Sequence, residues 1–255
     1  MAGSGFRDVV DGGVDLLLGG RCVGCARPGR VLCEPCAATL PDSLPDGGRP
    51  AWPTPVPAGL VPPWAAGEYA GVVRAMVVGH KERRLLGLRP PLARLLAVAV
   101  AAAVADLPPG PVVLVPVPSR RGSARARGHD PLGAVTRAAG RRLRAEGRDV
   151  RVAPLLRSRS GVVDQAGLDA AARAANLASS MCCPTGPLRR LAARTPAARV
   201  VVCDDVITTG ATLREAQRAL EGVGLTVVAA AAVAATRRRS SGRDLRPLSS
   251  LEGRV

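Results

Sequence analysis

Arg199-Val-Val-Val-Cys-Asp-Asp-Val-Ile-Thr-Thr-Gly-Ala-Thr-Leu213 is the stretch from which the fold reads outward. Val200 to Cys203 is a continuous apolar run, the mark of a strand covered on both faces within a parallel sheet. Asp204 and Asp205 end that strand, at the edge where open α/β sheets place their ligands. Thr208-Thr209-Gly210-Ala211-Thr212 follows: small residues, hydroxyls, and a glycine that lets backbone approach a ligand closely. The loop opens a helix, since Leu213, Ala216, Ala219 and Leu220 fall at helical spacing. Free N–H groups at such a helix start, with the dipole behind them, make an anion site. An acidic pair beside a phosphate cradle suits a sugar phosphate, carboxylates on the ribose hydroxyls and the loop on the phosphate. A strand with a polar turn and an N-cap is the plainer alternative, but it has no need of paired carboxylates before a Thr-Thr-Gly loop.

This stretch resembles the PRPP-binding motif of type I phosphoribosyltransferases, in which an apolar strand leads into two acidic residues and a Thr-Thr-Gly loop. The likeness is nearly residue for residue over about a dozen positions, far more specific than a lone Gly-x-Gly-x-x-Gly.

The length of 255 residues allows one full α/β domain and a small module. Its 47% hydrophobic share is mostly Ala, Val and Leu, enough for a core. The only aromatics are Phe6, Trp52, Trp64 and Tyr69, so the half holding the acidic pair has no ring to stack on a base. The formal charge of +16 invites a nucleic-acid reading, but 35 of the 36 basic residues are arginines. That skew, with abundant Ala, Gly and Pro, fits a coding bias as well as a basic surface. Lys81 is the one lysine, which suggests a place where a compact ammonium is needed; a solvated surface position is the alternative.

No basic n-region precedes Leu16-Leu17-Leu18, so no secretory signal is read and a cytoplasmic location is expected. Leu92 to Ala105 is apolar but includes Arg94 and falls short of the roughly 20 residues of a bilayer span. It reads as a buried helix, without membrane insertion.

Cys22-Val-Gly-Cys25 and Cys33-Glu-Pro-Cys36 are paired knuckles that can bring four thiolates around one tetrahedral Zn²⁺, with Gly24 and Gly29 supplying tight turns. Unrelated thiols, disulfides and an iron–sulfur cluster are the other readings of the spacing. Cys182, Cys183 and Cys203 read as small hydrophobes. Pro41 to Pro63 is proline-dense and reads as a stiff, extended connector that separates module from domain. The expected divisions are 1–40 (four-cysteine module), 41–63 (linker), 64–236 (main domain) and 237–255 (disordered basic tail).

Along the main domain, Gly67 to Ala70 starts a strand and Val72 to Val77 forms a short helix ending near Gly79, with His80 and Lys81 beyond it. Val112 to Val115 is a strand that becomes a loop at Pro116-Val-Pro-Ser119 because prolines cannot donate to a central ladder. Leu132, Val135, Ala138 and Leu143 mark a helix, Val150 to Leu156 a strand, Cys182 to Gly186 a turn, and Thr226 to Val233 a last strand.

Together these pieces resemble the ComF family, a branch of type I phosphoribosyltransferases linked to DNA uptake. The residues that carry the likeness are Cys22, Cys25, Cys33 and Cys36, Lys81, Val115-Pro-Val-Pro118, Arg127-Gly128-His129-Asp130, Gln165, Arg173-Ala-Ala-Asn176, and Asp204 to Thr212. The family has Phe-Asn-Gln where this chain has His129-Asp130-Pro131, so the role of that segment is not carried over; His129 reads as a solvated loop residue rather than a general base.

The resemblance implies a five-stranded, mostly parallel sheet with flanking helices and a hood, preceded by a zinc-ribbon-like module. It implies displacement of pyrophosphate from C1 of PRPP by an unnamed acceptor. Asp204 and Asp205 would hold the ribose hydroxyls, directly or through Mg²⁺. Thr208, Thr209, Gly210, Ala211 and Thr212 would hold the 5′-phosphate. Pro118, Ser119 and Arg120 would form the pyrophosphate loop, Lys81 would meet pyrophosphate charge, and Arg157 to Gln165 would be a lid. Implied cofactors are structural Zn²⁺ and Mg²⁺ with PRPP. The alternative is a non-enzymatic accessory that binds PRPP, a nucleotide or single-stranded DNA and docks a competence helicase.

Overall fold

The computed structural model describes residues 20–41, 47–118, 130–159, 180–195 and 198–236. Strand β7, Arg199–Ile207, lies inside a six-stranded sheet. Val200, Val201, Val202 and Cys203 are all fully buried. Val201 and Cys203 face one core and Val200 and Val202 the other, so the apolar run does cover both faces. Burial raises the Cys203 thiol, which sits here as a small hydrophobe.

The sheet order is β1 (Arg49–Pro50), β2 (Pro63–Glu68), β8 (Thr226–Ala235), β7, β3 (Val112–Pro116) and β4 (Val150–Val152). The last five are mutually parallel, as expected. The sixth, β1, is antiparallel to β2 and comes from inside the proline-rich connector. Pro50 lies within this edge strand, where a missing donor costs the ladder little.

Helices α2 (Gly71–Glu82), α3 (Arg89–Ala103) and α4 (Pro131–Ala145) cover one face; α1 is the short turn Glu34–Ala37. Helices α5 (Thr185–Ala192) and α6 (Ala211–Glu221) contribute to the opposite core. The segment Leu86–Ala103 is long and apolar enough to cross a bilayer by length and composition. Here it is spent on the sheet: Leu92, Leu95, Leu96, Ala99 and Val100 are buried against β2, β8 and α4.

Two strands have other bounds than expected, β2 ending at Glu68 rather than starting at Gly67 and β4 stopping at Val152 rather than reaching Leu156, and three further local expectations change. Helix α2 does not stop at Gly79 but runs to Glu82, so His80 and Lys81 lie in its last turn. Gly79 answers a packing need there, because a Cβ would stand 2.9 Å from Leu88 Cδ1. Cys182 to Gly186 is not a simple turn: Met181–Cys182 forms β6, paired with β5 (Arg157–Ser158), and α5 begins at Thr185. Pro187 is tolerated because first-turn N–H groups have no intrahelical partner to lose.

The connector is the third. Residues 47–63 are packed rather than held out as a spacer. Leu60 is buried in the core, Ala51 donates its N–H to Pro63 O, and Pro53 and Pro57 press on Gly210. Prolines stiffen this segment, but Leu60 and Val61 between them supply apolar surface that burial rewards.

The four-cysteine module also docks on the domain. Val23, Val31 and Leu32 pack against the α2 side of the core, and Leu40 lies within it.

Candidate functional site

The carboxylates do not quite end β7. The strand continues through Asp204 and Asp205 to Ile207, paired on one side with β8 up to Ala235. On the other side β3 pairs only as far as Pro116 with Cys203, and Val117 donates the last bond to Cys203 O. Pro118 has no N–H to continue the ladder, so β7 outruns β3 and the acidic pair stands beside an opening at the carboxyl edge.

Asp205 N donates to Asp204 Oδ1 at 2.8 Å. Lys81 Nζ, from the last turn of α2, donates to Asp205 Oδ2 at 2.5 Å. The single lysine therefore meets the acidic pair directly. Burial works against its charge, but Asp205, with help from Asp204 and Glu82, outweighs that and holds the ammonium above its usual value. Burial, and then the charge of Asp205, push Asp204 well above the usual carboxylate range. Two carboxylates this close favour a shared cation, and Lys81 supplies one charge. His80, Leu92, Pro131, Leu132 and Val135 line a small cleft with Lys81 and Asp205.

The Thr208-Thr209-Gly210 loop follows, with both threonines exposed and Gly210 buried. Gly210 has φ +73, a left-handed conformation that favours glycine. Ala211 N donates to Thr209 Oγ1 at 3.4 Å, and the N-cap residue, Gly210, has no side chain to cap α6. An uncapped helix start at the carboxyl edge, entered from a glycine, leaves N–H groups for an anion. The helix face behind it is anchored: Arg214 Nε donates to Ala58 O at 2.9 Å, and Gln217 bonds Gly59 and Val61. These anchors were missed in the sequence. Gln217, a polar residue four positions after Leu213 on the apolar stripe, was the available signal.

Ser119, Arg120, Arg127 to His129, Gln165, Arg173 and Asn176 lie outside the described residues, as does the tail 237–255. Asp130 is described, and its carboxylate accepts the Gly133 N–H at 3.0 Å as the N-cap of α4.

Away from the acidic pair, the ligand atoms of Cys22, Cys25, Cys33 and Cys36 all lie within 4.8 Å of one another. Cys25 Sγ and Cys33 Sγ are 3.6 Å apart, far beyond the roughly 2.05 Å of a disulfide. The separation matches a tetrahedron of thiolates about 2.3 Å from one metal ion. The N–H groups of Gly24 and Cys33 each donate to Cys22 Sγ at 3.4 Å. Burial opposes the Cys22 thiolate, but these donors prevail and bring its pKa down to about 6. Cys36, bonded first to Cys33, is pushed up to about 12. Metal binding would displace the proton that Cys36 holds on to. Gly29 does take a left-handed φ of 111, but Gly24 serves differently: a Cβ there would stand 2.8 Å from Cys36 Sγ. The left-handed residue of the first knuckle is Ala26, with φ 60.

Residues 162–248 match the family model of the phosphoribosyl transferase domain. Among curated proteins, no sequence matches the chain. The matched segment includes β7, the Thr-Thr-Gly loop, α6 and β8. The matched residues, about a third of the chain, are thus similar to a phosphoribosyl transferase domain; those described lie in a mostly parallel sheet with flanking helices, and a four-cysteine cluster consistent with a zinc module accompanies them.

Proposed function

We propose that the protein binds PRPP with Mg²⁺ and transfers its phosphoribosyl group to a nucleophilic acceptor with release of pyrophosphate. The observation that carries this reading is the acidic pair running into an uncapped Thr-Thr-Gly loop at the carboxyl edge, inside the segment matched to the transferase domain. Thr208 to Thr212 hold the 5′-phosphate through hydroxyls and first-turn N–H groups. Asp204 and Asp205 accept hydrogen bonds from the ribose 2′- and 3′-hydroxyls, the chemistry two adjacent carboxylates suit. Oxygen donors of this kind also fit Mg²⁺, which when bound supplies positive charge to the diphosphate. Lys81, already drawn to the pair by Asp205, meets the charge that builds on departing pyrophosphate, and Ser119 and Arg120 join it. The transition state carries oxocarbenium character, so fixed carboxylates beside the ribose favour it electrostatically. Incubation with PRPP, Mg²⁺ and a panel of nitrogen bases, read by released pyrophosphate, tests transfer; a protein that binds PRPP yet turns over with none is a binding accessory.

The four-cysteine cluster ahead of this domain supports placing the chain with ComF-like proteins of DNA uptake, with one structural zinc per chain.

Substitution Lys81→Arg preserves charge but replaces a compact ammonium by a broad planar fork at a 2.5 Å contact. Turnover or PRPP affinity should fall by about tenfold, the size of one compromised charged hydrogen bond. Steady-state kinetics check it; unchanged values make Lys81 an ordinary surface residue.

A second reading, polyanion binding, is favoured by a groove lined by Arg137, Arg141 and Arg144 of α4, Arg151, Arg157, and Arg190 and Arg194 near α5. None of its described lining residues is acidic, and its floor of Val152, Ala153, Pro154 and Leu155 has no aromatic ring. Contacts would then go to phosphates alone, so affinity for single-stranded DNA should fall steeply with salt, with a log–log slope of about −0.7 per phosphate engaged. Weak, salt-insensitive binding in an anisotropy titration removes this reading.

A further inference from the structure

We propose that residues 53–61 are a buttress that sets the shape of the phosphate loop, with Gln217 as the positioning residue that latches it. The inference rests on the phosphoribosyl reading of that loop and assigns its support to a segment outside the matched domain.

Three contacts converge on one face of α6. At its start, a Cβ on Gly210 would stand 2.9 Å from Pro53 Cγ, 3.2 Å from Leu60 Cδ2 and 3.3 Å from Pro57 Cγ. The segment is therefore seated against the back of the glycine whose left-handed backbone turns the loop into the helix. One turn on, Arg214 Nε donates to Ala58 O at 2.9 Å. At the next turn Gln217, only 4% exposed, spends its whole amide. Its Oε1 accepts the Val61 N–H at 3.1 Å; its Nε2 donates to Gly59 O at 2.9 Å and to Glu221 Oε1 at 2.8 Å. Positions 210, 214 and 217 recur at helical spacing, so they form one continuous seat.

A buried amide is costly unless its bonds are made, and here the backbone of the segment makes two of the three. Pro53, Pro55 and Pro57 restrict the unfolded segment and so reduce the entropy lost in holding it down. The latch thus fixes a stiff piece of chain against Gly210. The acidic pair is held separately, by Lys81 from α2 on the other side of β7. The phosphate half and the ribose half of the site accordingly have independent supports.

That separation makes the test. Substitution Gln217→Leu keeps the side-chain volume and removes all three bonds. In the full chain, calorimetry with ribose 5-phosphate and with PRPP plus Mg²⁺ should show both ligands weakened by a similar factor, about tenfold. Turnover at saturating PRPP should stay near wild type, so the loss appears in KM rather than kcat. Arg214→Ala, which removes the bond to Ala58 O and leaves the Gln217 amide in place, should lie between wild type and the leucine variant, and it supplies the reading if the leucine variant is unstable. A folded variant that binds both ligands as wild type does overturns the buttress. So does a loss confined to PRPP, which would place the effect at pyrophosphate or the acidic pair. Wild-type protein that binds neither ligand fails earlier, at the phosphoribosyl reading itself, and takes the buttress with it.

Discussion

Replacing Asp204 and Asp205 together by asparagine is expected to weaken Mg²⁺-dependent PRPP binding by two orders of magnitude or more while the protein stays folded. Asparagine keeps the size and some hydrogen-bonding capacity of each side chain, but removes both negative charges from the end of β7. A charge-assisted hydrogen bond contributes about 1.5–3 kcal/mol, so two lost together give a factor of roughly a hundred or more. Stability should not suffer, and the sign follows from Asp204. Burial and the neighbouring Asp205 hold its pKa well above the usual carboxylate range. A carboxyl raised in this way favours the fold while protonated, below its unfolded pKa, and that contribution is lost as pH rises through the raised value. Charge on Asp204 is therefore disfavoured by its surroundings, and asparagine there removes that cost, which offsets the weakened contact of Lys81 with position 205. The same competition between proton and cation predicts that PRPP·Mg²⁺ binding strengthens with rising pH in the wild type and loses that dependence in the double variant. Calorimetry at several pH values, with thermal melts alongside, reads both effects. Lower thermal stability with PRPP affinity intact would make the pair structural.

Loss of metal from the four-cysteine cluster is the second large effect. The protein as purified without chelator should contain one zinc per chain, and Cys33→Ser or chelation should remove it. Structural zinc supplies about 10–16 kcal/mol to zinc-finger peptides, far more than a module of this size can gain from packing. Residues 20–41 should therefore lose their structure. The damage should also reach the main domain, because Val23, Val31 and Leu32 cover the α2 side of its core. Exposing those side chains costs on the order of 2–3 kcal/mol. For a domain of this size that lowers Tm by roughly 5–10 °C. Differential scanning calorimetry with and without chelator measures it. Substoichiometric metal in elemental analysis, with all four thiols titratable, would contradict the assignment. A connector acting as a loose spacer would have insulated the domain from this loss; the docked geometry does not.

Central features of the fold were legible wherever one residue property had one physical meaning. Four apolar residues before Asp204, bounded by the acidic pair and a glycine loop, read as a strand buried on both faces, and alternate residues do enter opposite cores. The cysteine spacing likewise pointed to a cluster, and the four sulfurs do lie within 4.8 Å of one another. Lys81 stood out by composition, but its partner did not, because Asp205 is remote in sequence and α2 was read as ending too soon. Helix α5 was hidden by Pro184, Gly186 and Pro187, whose helix-breaking character is harmless in a first turn. The connector misled most. Proline density reports stiffness, and stiffness alone does not say whether a segment spans solvent or leans on something. Leu60 within it and Gln217 on an apolar stripe were the two halves of that answer, each weak without the other.

The central claim is that β7 and its loop form a PRPP site. Calorimetric titration of the full-length protein with PRPP, with and without Mg²⁺, tests it most directly. One PRPP bound per chain, dependent on Mg²⁺, is the result predicted by the acidic pair and the uncapped helix start. No heat of binding at millimolar PRPP, or binding indifferent to Mg²⁺, would contradict it.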